Sequence, residues 1–223
     1  MKKLLEQVDV VWINLKLAEI SRKHCMPNLA EYYQTLSANF LPKEGSSAAG
    51  AASSGGEAYK LEQFKQVYER FKLKMTYCTE EVTQHECLQS TMKQAQNPEF
   101  APWQQAELLR IIGEHYLKNK RLHLANENLL MSIEKNKREA KTWLAYAKLN
   151  DVLFSRQKDE RSALNSLKGY FCAMTLSQHK ARLIVPSVFK LLKQKSIADA
   201  AFSRQQAQQQ QQAQAQAQAA AAG

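Results

Sequence analysis

The chain has 223 residues, with 31 lysines and arginines against 21 aspartates and glutamates and a net charge of +10. Seven glycines, five prolines and scarce strand-like alternation point to an all-α chain. A domain of this length buries about 70% of its unfolded surface, so its core needs no metal or disulfide support. The four cysteines (Cys25, Cys78, Cys87, Cys172) match no zinc or redox spacing and suit a reducing compartment.

The start, MKKLLEQVDVVWINL, is basic and then apolar. Glu6 and Asp9 interrupt it and no small-residue cleavage site follows, so no signal peptide is expected. No run reaches the ~20 apolar residues that span a bilayer. Residues 4–25 read as a first helix with a broad face of Leu5, Val8, Val11, Trp12, Leu15, Ala18 and Ile20. Met26-Pro27 breaks it, and residues 29–41 follow as a partner helix through Leu29, Tyr32, Tyr33 and Leu36. Residues 42–57, PKEGSSAAGAASSGGE by composition from Pro42, read as a flexible insertion, too poor in apolar side chains to repay ordering.

A long amphipathic helix is expected from Ala58 to about Tyr77 through Leu61, Phe64, Val67, Tyr68, Phe71 and Met75. Lysines and arginines lie between these aromatics, a pattern that can stack and neutralise nucleic acid. The aromatic steps of three and four residues assign them to a buried stripe instead. Thr79 is placed as cap of a helix ending near Gln96, and Asn97-Pro98-Glu99 as a turn. Pro102 then opens the next helix.

Residues 105–150 carry the strongest periodicity. Leu108, Leu109, Ile112 and Tyr116 share one face, and Leu124, Leu129 and Ile133 another after a basic turn. Gly113 and Ala125 are small enough to let these two helices approach closely. Trp143 lies 34 residues after Leu109, one tetratricopeptide-type period. Trp12, Trp143, Tyr116 and Phe189 are read as the anchors of a stack of helical hairpins. Two basic turns, Lys118-Asn119-Lys120-Arg121 and Lys135-Asn136-Lys137-Arg138, fall at opposite ends of one helix rather than on one patch. Helices follow over residues 139–155, 162–176 and 178–193, the last kinked or split by Pro186. Residues 1–196 thus form the helical-repeat region, and residues 197–223 a low-complexity Gln/Ala tail, disordered or marginally helical.

Several runs resemble a known family. WINLKLAEISRKHCMPNLAEYYQTL at 12–36 and FKQVYERFKLKMTYC at 64–78 resemble helices of the FAT region of the phosphatidylinositol-3-kinase-related kinase (PIKK) family. AELLRIIGEHYLKNKRLHLANENLLMSI, KTWLAYAKLNDVLF, RSALNSLKGYFCAM and KARLIVPSVFKLL follow in an order similar to that of its pseudokinase, TRRAP-like branch. The resemblance implies an α-solenoid of tetratricopeptide-like hairpins. It also implies a non-catalytic, nuclear scaffold segment of histone acetyltransferase co-activator complexes, with their subunits and transcription activators as protein partners. The family's kinase-like domain has no counterpart in these residues, which implies a segment of a larger protein.

No catalytic, cofactor-binding or metal-ligating constellation is expected. His24, His85, His115, His123 and His179 sit in no nucleophile or metal motif, and the His85-Glu86-Cys87 run with Cys78 has poor ligand spacing. Lys118, Lys120, Arg121, Lys135, Lys137 and Arg138 are the candidate partner contacts. The alternative reading is a stand-alone tetratricopeptide-like adaptor for acidic protein partners. Direct nucleic-acid binding, which would weaken steeply with salt, is not expected.

Overall fold

The computed structural model describes residues 2–41 and 55–221. The chain divides into two compact units, Met1–Lys137 and Arg138–Gly223. The first holds α1 (Lys2–Lys23), α2 (Pro27–Phe40), α3 (Gly55–Tyr77), α4 (Glu81–Ala95), α5 (Pro102–Lys118) and α6 (Leu122–Lys135). The second holds α7 (Ala140–Gln157), α8 (Glu160–Leu176), a 3-10 turn at Gln178–Lys180 and α9 (Ala181–Ala221). All regular structure among the described residues is helical, as the sequence implies.

Within the first unit each helix packs on the next. In addition α1 touches α3 and α3 touches α5, so the odd-numbered helices form one layer. This is the neighbour-on-neighbour stacking of a helical-repeat array. The helix α5 lies at its centre, with Leu108, Leu109, Ile111 and Ile112 all buried. In the second unit Ala147 and Phe154 of α7, Ala163, Tyr170 and Ala173 of α8, and Ile184, Val188 and Leu191 of α9 form one core.

The hairpins α1/α2, α5/α6 and α7/α8 share a turn. Each first helix is followed by a non-glycine residue in the left-handed region: Cys25 at φ 59°, Lys120 at φ 60° and Lys158 at φ 56°. After α1, the Met26 N–H donates to the Ser21 carbonyl at 2.9 Å and that of Cys25 to Arg22 at 3.2 Å. After α5, Arg121 donates to Tyr116 at 2.9 Å and Lys120 to Leu117 at 3.1 Å. This Schellman pairing satisfies the last helical carbonyls and reverses the chain within three residues.

Small residues set how closely each pair approaches. A Cβ on Gly113 would lie 2.7 Å from Leu129 Cγ and 3.4 Å from the Ala125 carbonyl, so the expected close approach is present. In α7/α8, a Cβ on Gly169 would lie 2.9 Å from Ala147 Cβ and 3.0 Å from the Trp143 carbonyl. In α1/α2 the buried pair is Ala18 and Ala30. Ala18 to Ala30 and Gly113 to Ala125 are each 12 residues apart.

That register corrects two of the expected anchors. Leu109 and Trp143 each precede the small residue of their helix (Gly113, Ala147) by four positions. The matching position in α1 is Asn14, which is buried, and not Trp12, which is 46% exposed. The buried row of α1 is Val11, Leu15 and Ala18, and Trp12 projects about 100° round the helix from Val11. Phe189, 68% exposed, is displaced in the same way from the α9 row of Ile184, Val188 and Leu191. Tyr116 is buried as expected, and Trp143 packs half-buried against the core of the second unit.

Other boundaries also differ. Glu80, not Thr79, occupies the cap position of α4, and its carboxylate accepts from the Thr83 hydroxyl at 2.6 Å. The helix α3 begins at Gly55, inside the stretch read as an insertion; residues 42–54 of that insertion lie outside the described residues. Pro186 does not divide α9. It stands in the second turn, where its missing N–H forgoes one early hydrogen bond while the helix continues. The Gln/Ala tail is helical to Ala221, in keeping with alanine's high propensity, and Ala198 still packs against the core, two residues past the expected boundary.

Candidate functional site

Among the described residues, no group of three or more His, Cys, Asp or Glu side chains could hold a metal ion. His85 is exposed while Cys87, two residues on, is buried, so the His85-Glu86-Cys87 run points two ways. Burial raises the Cys87 thiol pKa, which keeps it protonated and inert. His24, His123 and His179 are exposed, and His115 is half-buried.

Charge inside the first unit is organised across the odd-numbered helices. Arg22 of α1 meets Glu69 of α3 at 2.9 Å. Lys72 of α3 reaches Glu114 of α5 at 3.8 Å. Arg110, only 5% exposed, is held by Glu107 at 2.5 Å and by Glu114 on its other side. Burial opposes its charge, but the hydrogen bonds it donates to Glu107, with the Glu114 and Glu107 charges close by, outweigh burial and raise the pKa. All three side chains lie on α5, so the triad satisfies a desolvated guanidinium within one helix.

The six basic contact candidates are exposed, and they separate as expected. Lys118, Lys120 and Arg121 precede α6, whereas Lys135 ends it and Lys137 follows. A helix of 14 residues holds the two groups about 21 Å apart. Arg138 begins the second unit.

One of these residues, Arg121, also lines a cleft between the start of α4 and the end of α5. The cleft has a volume of about 660 Å³ and is walled by Glu81, His85 and Leu88 on one side and His115, Asn119 and Arg121 on the other. The Asn119 side-chain amide lies 3.0 Å from His115 Nε2, and that of Gln89 lies 2.8 Å from His85 Nε2. The His115 pKa is lowered, first by burial and then by Lys118 and Arg121. The sequence marked Arg121 and the basic turn but not the imidazoles. The legible signal was the i, i+4 pair of His115 and Asn119 running into Lys118–Arg121.

The described residues contain no helix long and apolar enough to cross a membrane. No family model, characterised protein or solved structure matches the chain.

Proposed function

We propose that this chain is a non-catalytic scaffold segment of a TRRAP-like protein, acting in the nucleus within histone acetyltransferase co-activator complexes. The observation that carries the reading is the layered hairpin array, in which odd helices touch odd helices and small residues set the spacing. Such an array is stiff over its length and offers side chains at fixed intervals, so partners bind by shape and charge. The runs at 12–36, 64–78 and 106–192 that resemble FAT helices fall within its helices and support the more specific reading. Fold alone does not assign a role, so the assignment rests on those runs.

The second reading, an adaptor for acidic protein partners, is favoured by the cleft beside Lys118 and Arg121. Long-read sequencing of transcripts across the gene separates the two. A frame that runs on into a kinase-like domain supports the scaffold segment. A frame ending at Gly223 with no upstream extension moves the adaptor to first place.

A further inference from the structure

The cleft between α4 and α5 combines concavity, volume and charge. It is concave, its volume of about 660 Å³ lies in the range of ligand sites, and on the α5 side its lining carries the cation Arg121, facing Glu81 of α4. Arg121 lines it, and Lys118 and Arg121 both act electrostatically on His115. The geometry points to this cleft as a docking site for a carboxylate on an acidic segment of a protein partner. The inference deepens the adaptor reading above and rests on it.

Every element packed around His115 bears on the argument. From α4 come Glu81 and His85, from the turn into α6 Lys118 and Arg121, and from α3 the Phe71 ring, 5.9 Å from the imidazole centroid. Lys72 of α3 is engaged by Glu114 at 3.8 Å. Glu81 is the one carboxylate among the cleft's lining residues. With burial and two cations acting on it, the free imidazole is held neutral. The Asn119 amide N–H then donates to His115 Nε2 at 3.0 Å.

A carboxylate entering beside Arg121 reverses this balance, because an opposite charge favours the imidazolium. His115 takes a proton from solvent, and the Asn119 amide turns to present its oxygen to the new N–H. Binding is therefore linked to proton uptake and tightens as pH falls from the bound imidazole's pKa toward the free one's. Arg121 supplies the permanent charge and His115 the conditional one.

The test uses the full chain and a fluorescein-labelled peptide of Glu-Gly repeats, with the Gln-Gly peptide as control, read by fluorescence anisotropy. Arg121→Gln should weaken binding about tenfold, the loss of one charged hydrogen bond. Lys135→Gln, which removes the same charge at the far end of α6, should change it less than about twofold. His115→Gln should abolish the tightening seen as pH falls. In the unmodified chain, NMR titration should place the His115 pKa higher with peptide than without. Equal losses in Arg121→Gln and Lys135→Gln would overturn the cleft assignment and leave general attraction to a basic chain. An unmoved His115 titration would also overturn it. Absence of any binding of the acidic peptide would overturn both the cleft and the adaptor reading.

Discussion

At the scale of single residues, close helix approach depends on what a glycine faces. At Gly113 an added methyl meets a leucine side chain, at 2.7 Å from Leu129 Cγ. At Gly169 it meets backbone as well, the Trp143 carbonyl at 3.0 Å and Ala147 Cα at 3.1 Å. A side chain can rotate more cheaply than two helices can part. Gly169→Ala should therefore destabilise by about 1–3 kcal/mol. Gly113→Ala should cost less, because the Leu129 side chain can yield where backbone cannot; alanine's helix propensity offsets about 1 kcal/mol at both sites. Urea unfolding of the two variants checks the order; a costlier Gly113→Ala would reverse the argument. Left-handed Lys120, at φ 60°, makes the opposite case. Lys120→Gly should stabilise by about 1 kcal/mol by relieving the Cβ contact that non-glycine residues suffer there. The Gly113–Ala125 approach was legible in the sequence because both small residues interrupt a clear apolar stripe. Trp12 was misread because size suggested burial, whereas the register is set by Ala18 and Ala30, small residues without a distinctive pattern.

At the scale of elements, helix existence follows from periodicity, and ends follow from local chemistry. Pro102 and the Asn97–Glu99 turn were readable, and α5 begins at Pro102 as expected. The Ala101 N–H donates to Gln104 Oε1 at 2.8 Å, a partner three residues on that closes the first turn. The start of α3 at Gly55 was not readable, because glycines are poor helix formers and gain their place here from the helix that follows. Charge also acts at this scale. On α1, Glu19 accepts from Lys23 at 2.5 Å and from Lys16 at 2.9 Å. Those hydrogen bonds, Lys23's first, lower its pKa from 4.5 to about 2. A carboxylate held low contributes stability that is fully present above about pH 4.5 and is lost as pH falls toward 2. Solvent screening keeps the contribution to about 1 kcal/mol or less, since the lysines are exposed. Helicity followed from pH 5 to about pH 2 should show this loss, and Glu19→Gln should flatten that part of the curve; identical acid profiles would remove the pair from the account. At the other end, α9 packs as far as Ala198 and is exposed from Ala201 to Gln212. Truncation after Arg204 should shift stability by less than about 0.5 kcal/mol in thermal unfolding, whereas truncation after Ser196 removes the Ala198 contact and should cost more.

At the scale of the whole molecule, the all-α hairpin character was legible because 3.6-residue periodicity persists through most of the chain. The cleft was not, because its two walls come from the start of α4 and the end of α5, about 30 residues apart in sequence and joined only by the packing of the two helices. Recognition by a scaffold is a property of an assembly, and the assembly can be isolated. The most direct measurement is to tag the endogenous protein, fractionate a nuclear extract by size, and assay the tagged fractions for histone acetyltransferase activity. The account predicts that the tag elutes in a large complex and that acetyltransferase activity peaks with it. Elution as a single small chain, free of that activity, would contradict it.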